Sequence, residues 1–332
     1  MLCLPRRREG VPDDEGSPSP EEELPPVPPS QGKLKKEVSR SGLPPLGAHV
    51  SVAGGLSGAP ERGVRIGAEV IQIFSKPGTR WMGKALEEDE AENFRRECAR
   101  TGVRSEAIHC AYLINLGSAK ESVRTRSLYA LEDEASRAAM LGVPHLVMHP
   151  GSCGEDPEET GIARIAGALR EFGRLPSGVT LLLENTAGQG NSIGRSMEQI
   201  RRLIDAAGAP GDVAVCLDSA HLFQAGYDIT VDRGWEGLLE ELALQGILPI
   251  VRMWHLNDSK TPLGSRVDRH QHIGKGEIGL PAFRRIMAHP VFRELPMILE
   301  TPKDGEDEFE MDIRNLEALR KAFRGKEGKG KR

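Results

Sequence analysis

Aromatic side chains are scarce in this chain, at 4% of 332 residues. A core built without them must rest on Leu, Ile, Val and Ala, and a hydrophobic share of 38% is enough to make one. No apolar run approaches the 18 or so residues that a bilayer span needs, so no membrane partner is expected. The opening "MLCLPRRREG" has basic residues but no apolar stretch behind them, unlike a secretory signal. The five cysteines (Cys3, Cys98, Cys110, Cys153, Cys216) are scattered, odd in number and without a C-x-x-C pair. That argues against a disulfide framework or a thiolate zinc finger and for a reducing, cytoplasmic setting. Positive charge is outnumbered, 44 Lys and Arg against 49 Asp and Glu. The formal net charge of −5, taken alone, argues against nucleic acid, whose phosphates call for a cationic surface.

Residues 1–45 lack almost everything that can be buried. "PDDEGSPSPEEELPPVPPSQGKLKKEVSRSGLPP" is rich in Pro, Ser, Glu and Lys, too polar to offset its ordering entropy, and is expected to be disordered. Residues 325–332 read as a short basic tail. Between them, residues 46–324 alternate short apolar runs with segments of helical period. The runs are "LGAHVS" (46–51), "VIQIFS" (70–75), "EAIHCA" (106–111), "HLVMHPG" (145–151), "VTLLLENT" (179–186), "VAVCLDSAH" (213–221), "IVRMWHLND" (250–258) and "PMILETP" (296–302). In "DPEETGIARIAGALREFGRL", Asp156 is the expected N-cap, Pro157 the first helical residue, and Ile162, Ile165, Leu169 and Phe172 the buried stripe. Similar stripes carry Ile200, Leu203 and Ile204, then Trp235, Leu238, Leu239 and Leu242. Eight strands alternating with helices imply parallel pairing, and the expected fold is a single-domain (β/α)8 TIM barrel. The glycines of "GAHVSVAGG" do not form G-x-G-x-x-G, so a dinucleotide site in an open sheet has little support.

The strand ends carry the chemistry. His109, His149, Glu184, Asp218, His255 and Glu300 each sit at or just past the end of an apolar run, about one βα unit apart. In a barrel those ends converge on one face. His221 follows Asp218 in the turn leaving the sixth strand, and "SRVDRHQHIG" adds Asp268 and His270 after the seventh. D-x-H points a carboxylate and an imidazole the same way, and His272 shares that parity. Each residue alone has an ordinary structural reading, as a satisfied strand-end histidine or a helix cap. Together they give five imidazoles and four carboxylates, and four carboxylates clustered without metal would repel and raise one another's pKa values. Nitrogen and oxygen donors without thiolate suit Zn2+, with Mn2+ the alternative at one or more sites, and nine ligands suit three ions. His145 and His289 lie away from this face and are expected to be structural.

"GAHVSVAGGL", "YLINLGS", "HPGS", "ENTAGQGN", "CLDSAHLFQAGYD", "HLNDSKTPLGSRVDRHQHIGKGEIG" and "ILET" resemble the endonuclease IV family of apurinic/apyrimidinic endonucleases, over roughly residues 46 to 322. The resemblance implies a barrel holding three zinc ions. His109 and His149 would bind the first, with Glu184 bridging it to a second completed by Asp218, His255 and Glu300. His221, Asp268 and His270 would hold the third. His270 is thereby preferred to His272, and His49 becomes a supporting residue. The implied substrate is double-stranded DNA with abasic sites or blocked 3′ ends, cut by a monomer. Hydrolysis 5′ to the lesion by a metal-activated hydroxide would leave a 3′-hydroxyl and a 5′-deoxyribose phosphate. Arg80, Trp81 and Tyr112 become the DNA-contact candidates. "SKPGTRW" places Arg80 directly before Trp81, where the family usually has one residue between, and Cys110 stands where a polar residue is often seen. Bound ions would also reverse the negative charge of the ligand cluster, and Lys76, Lys260, Arg266, Arg269 and Lys275 in the strand-end loops suit phosphate contacts. A sugar isomerase or epimerase on a similar barrel is the rival enzyme, needing fewer ions. A non-catalytic damage-binding protein is the third reading.

Overall fold

All eight apolar runs become parallel strands of one closed barrel in the computed structural model, which describes residues 42–208 and 212–325. The first seven are β1 (Leu46–His49), β2 (Val70–Ile73), β3 (Arg104–His109), β4 (His145–Met148), β5 (Thr180–Glu184), β6 (Val213–Asp218) and β7 (Val251–His255). A two-residue antiparallel ribbon follows, β8 (Asp258–Ser259) with β9 (His270–Gln271), and the last barrel strand is β10 (Met297–Leu299). The circuit runs β1-β10-β7-β6-β5-β4-β3-β2 and closes because β1 pairs with both β10 and β2. At that closure a side chain on Gly47 would place its Cβ 1.6 Å from the Val70 carbonyl oxygen, so only glycine allows the strands to meet there.

The helices between strands are α1 (Ala59–Arg65), α2 (Glu88–Thr101), α3 (Glu121–Leu141), α4 (Glu158–Phe172), α5 (Met197–Ala206), α6 (Ser219–Ala225), α7 (Asp232–Leu244) and α8 (Leu280–Ala288), with α9 (Glu310–Arg324) after the last strand. None among the described residues is long and apolar enough to cross a membrane. The stripes expected on α4, α5 and α7 are the buried faces, with Phe172 and Leu239 half-buried at the edges. The start of α4 differs from expectation. Pro157 is itself the cap residue and Asp156 caps nothing; its carboxylate instead accepts from Arg164 Nη1 at 2.6 Å. Either bond would be charge-assisted, and here the carboxylate is taken by the guanidinium eight residues on.

Two-residue periodicity sorts the strands into faces. Val70, Ala107, Val147, Leu182, Ala214, Cys216, Met253 and Ile298 form a buried plug inside the barrel. Their neighbours, such as Ile71, Ile108, Leu146, Leu181, Leu183, Val215 and Trp254, face outward into the core shared with the helices. The plug makes the barrel a solid floor rather than a pore. The expected tail 1–45 and the basic end 325–332 lie outside the described residues except for 42–45 and Gly325. Here the sequence boundary needs correction. Leu43 is buried in the main core, and the Pro45 carbonyl accepts from Met297 N at 2.9 Å, so packed structure starts before residue 46. A leucine flanked by glycine and prolines carries no period to mark it.

Candidate metal centre

Two residues beyond each plug side chain, strand parity brings the next inward side chain to the rim. Val147 leads to His149, Leu182 to Glu184, Cys216 to Asp218, Met253 to His255 and Ile298 to Glu300. Ala107 likewise leads to His109 and Val70 to Gln72. The donor atoms gather into three groups, each with its members within 4.8 Å of one another. One is His109, His149 and Glu184; the second is Glu184, Asp218, His255 and Glu300; the third is Asp218, His221 and His270. Glu184 spans the first two. Its Oε2 lies 3.2 Å from His109 Nε2 and 3.0 Å from His149 Nε2, while its Oε1 lies 2.9 Å from His255 Nδ1. Asp218 spans the second and third, and Asp268 Oδ1 stands 3.3 Å from His221 Nε2 and 3.5 Å from His270 Nε2. All nine residues singled out in the sequence therefore come together. His221 sits in the first turn of α6 rather than in a turn, and His270 on the ribbon strand β9.

Backbone carbonyls decide which ring nitrogens face inward, because a carbonyl can only accept. His109 Nδ1 donates to Cys110 O at 2.8 Å, His221 Nδ1 to Asn185 O at 2.9 Å and His270 Nδ1 to Glu300 O at 3.1 Å. In its neutral form each ring thus presents Nε2 as a lone pair. Among the described residues, His221 Nε2 and His270 Nε2 are buried and have no hydrogen-bond partner. Two orphaned lone pairs aimed at the same carboxylates fit a cation between them. The donor set, imidazole and carboxylate without thiolate, fits a zinc-type ion.

Buried polar partners hold the carboxylates. Asp218 Oδ1 accepts from His221 N at 2.7 Å, capping α6, while Oδ2 accepts from Asn257 Nδ2 at 2.6 Å. Asn257 Oδ1 in turn accepts from Glu300 N at 2.7 Å, and Asn185 Oδ1 from Asp218 N at 2.6 Å. The ribbon bearing His270 is tied down by Asp258. Its Oδ1 accepts from Ser259 N and Ile278 N, and its Oδ2 from Gly274 N and Gly276 N, at 2.8 to 3.2 Å. A Cβ on Gly276 would meet Ser259 O at 2.2 Å and Asp258 Oδ1 at 2.6 Å, so glycine is required for that grip. Gln189 Nε2 reaches Asp268 Oδ2 at 3.2 Å.

The charges are strongly coupled. Burial pushes carboxyl pKa values up, yet the facing imidazoles outweigh it, holding Glu184 well below its ordinary range and Asp268 and Glu300 below theirs. Burial disfavours the imidazolium, yet the carboxylates raise His109 and lift His221 and His255 well above 6.5. His49, where burial prevails, is lowered. Burial pushes the Cys216 thiol beneath the cluster up to about 12, which keeps it a neutral part of the floor.

The chain's residues 60–322 match the family described as xylose isomerase-like TIM barrel. Over 284 residues it is 45% identical to a protein named "Probable endonuclease 4" from Geobacter sulfurreducens, an overlap covering 84% of this chain and 94% of that one. The chain belongs to the endonuclease IV family. A crystal structure of endonuclease IV from Thermus thermophilus is 37% identical, with a TM-score of 0.73 over 84% of this chain and 98% of that one. A 3-keto-D-glucoside 4-epimerase from E. coli matches at a TM-score of 0.61 over 83% of this chain and 99% of that one, but at 14% identity it shares the fold alone.

Around the endonuclease IV cluster, the DNA-contact candidates differ in setting. Tyr112 is 70% exposed, its ring 5.2 Å from Phe74 and 6.1 Å from His109. Arg80 is exposed and Trp81 half-buried against the core, both in the loop between β2 and α2. Lys260, Arg266, Arg269 and Lys275 are exposed, but Lys76 is not. Its ammonium is buried between Glu134 Oε1 at 2.8 Å and Asp133 Oδ2 at 2.9 Å, so it is a strut of the loop and no phosphate contact. Ser75 Oγ also donates to Glu134, and Arg137 binds Asp133 and the carbonyls of Ser75 and Lys84. His272 faces Asp304 at 2.8 Å and Asn315, away from the three groups. Sequence reading passed over Gln72, Asn185, Asn257 and Asp258. For Gln72 the signal was available: a buried amide at an inward position of an apolar strand.

Proposed function

We propose that this chain is a metal-dependent endonuclease that cuts double-stranded DNA at abasic sites, hydrolysing the phosphodiester 5′ to the lesion. The observation that carries this reading is Glu184, one buried carboxylate whose two oxygens face two different groups of ligands. His109, His149 and Glu184 would hold one ion; Glu184, Asp218, His255 and Glu300 a second; and His221, Asp268 and His270 a third. Zinc bound there would supply Lewis-acid activation of water and neutralise charge building on the phosphate.

The chain's own residues do the rest. The carbonyls of Cys110, Asn185 and Glu300 keep three imidazoles in the tautomer that turns Nε2 inward as the donor. The plug closes the floor of the bowl, so substrate enters only from the rim where Arg80, Trp81 and Tyr112 stand. A nucleotide without its base has little stacking to lose, so extrusion toward the ligands costs less than the few kcal/mol of a normal flip. Tyr112, held edge-on against Phe74, and the Arg80–Trp81 pair suit the space that the extruded sugar leaves. Lys260, Arg266, Arg269 and Lys275 suit contacts to the flanking phosphates.

The test is incision of an end-labelled duplex with one abasic site. The zinc-loaded protein is expected to leave a 3′-hydroxyl and a 5′-deoxyribose phosphate, chelator to abolish cutting, and Glu184→Ala to lower the rate more than about a hundredfold. Unimpaired cutting by that variant, or cutting that survives metal removal, would reject the assignment.

A further inference from the structure

Gln72 lies on β2, fully buried at 0% exposure, and its side-chain amide touches three groups. Its Nε2 donates to Glu300 Oε1 at 2.6 Å and to His49 Nδ1 at 3.0 Å, while its Oε1 accepts from His255 Nε2 at 3.0 Å. The amide cannot sit the other way round. Reversed, its carbonyl oxygen would face the Glu300 carboxylate at hydrogen-bond distance, two acceptors with no proton between them. Its orientation therefore fixes its neighbours. A carbonyl oxygen 3.0 Å from His255 Nε2 keeps a proton on that nitrogen, so the proton that a bound ion would displace from the ring is the one on Nδ1. Nδ1 is the atom that faces Glu184 Oε1 at 2.9 Å and Glu300 Oε2 at 3.3 Å.

His109, His221 and His270 are set the opposite way, with Nδ1 tethered to a carbonyl and Nε2 presented. At His255 a side chain, the Gln72 amide, fills the role that a backbone carbonyl plays for those three. We propose that Gln72 is a positioning residue for the middle metal site, selecting Nδ1 of His255 as its donor nitrogen and holding the Glu300 carboxylate toward the same ion. His49 acts behind it, its Nδ1 lone pair taking the second amide N–H and keeping the amide from rotating. The proposal rests on reading the cluster as a metal centre.

The test uses the full chain loaded with zinc, and its primary readout needs no substitution. Long-range 15N–1H correlation of the imidazole nitrogens is expected to show His255 protonated on Nε2 and metal-bound through Nδ1, the reverse of His109. A wild-type His255 bound through Nε2 overturns the proposal. Gln72→Leu removes both contacts and is expected to release zinc from one site at about 10- to 100-fold lower competing chelator. Gln72→Glu keeps the acceptor for His255 Nε2 but cannot donate to Glu300. It is expected to preserve the His255 tautomer while still weakening retention, a split that general loss of packing does not produce. Equal zinc retention by Gln72→Leu and wild type overturns the proposal with the metal centre intact. A wild-type protein that takes up no zinc refutes the metal-centre reading and the proposal together.

Discussion

Asp258 shows how much one buried carboxylate can organise. Four backbone N–H groups converge on its two oxygens, and through them the ribbon that carries His270 is drawn against α6. An asparagine there would turn one acceptor oxygen into a donor and leave two buried amides facing it. Asp258→Asn is expected to lower stability by about 1–3 kcal/mol and to empty the site proposed at His221, Asp268 and His270 while the other two proposed sites keep their ions. Metal counting by mass spectrometry beside thermal denaturation checks both, and equal loss from all three sites would refute a local effect. At this scale the sequence was partly readable. His109, His149, Glu184, Asp218, His255 and Glu300 announce themselves because charged or titratable side chains at the ends of apolar runs are conspicuous. Asp258 and Asn257 do not, because their partners are backbone groups and distant residues that spacing cannot reveal. Lys76 misled for the opposite reason: a lysine in a loop is ordinarily solvated, and only the fold brings Glu134 and Asp133 to it.

The loop between β2 and α2 is an element whose shape depends on that buried ion cluster. Lys76 and Ser75 tie it to Asp133 and Glu134 of α3, Arg137 of the same helix holds the Ser75 and Lys84 carbonyls, and Arg80 and Trp81 ride on it. Removing the Glu134 charge leaves the buried Lys76 ammonium with Asp133 alone, which costs on the order of 1–3 kcal/mol. Glu134→Gln is therefore expected to loosen the loop. Affinity for abasic duplex should fall about tenfold while metal content holds, because Glu134 belongs to none of the ligand groups. Titration of a labelled duplex against both proteins checks this, and unchanged affinity would separate the cluster from DNA binding. The alternation of elements was legible almost throughout, since inward and outward faces of each strand both needed apolar residues. Asp156 was assigned as a cap because residue type favours it, and Arg164, eight positions on, took it instead.

Across the whole molecule, the ligand cluster stores opposite charges that depend on pH. Imidazoles whose pKa values folding raises contribute stability that is fully present below about 6.5 and lost as pH climbs through the raised values. The carboxyls whose values folding lowers contribute above about 4.5 and lose that contribution only as pH falls through the lowered values. The metal-free protein should therefore be most stable between those limits and weaken as pH rises beyond the imidazole range. Bound zinc takes the place of the protons on the inward nitrogens, so its stabilising effect should grow over that same rise. Melting temperatures of chelated and zinc-loaded protein across the mildly acidic to mildly alkaline range check this, and a constant gap between the two would refute it. The formal charge of −5 is a poor guide to nucleic acid for a related reason, since the sequence sums side chains and leaves out any ions that the proposed sites would gather.

The last barrel strand carries a consequence for the order of assembly. β10 slots between β1 and β7, the first and the seventh strands of the barrel, and Glu300 stands just past its end. The proposed middle site would thus draw on Glu184, Asp218 and His255 and on a carboxylate that the ribosome makes 45 residues after the last of them. That ligand set stays incomplete until β10 has docked on β7, so uptake of an ion there would be a keystone step reporting that the final strand is in place.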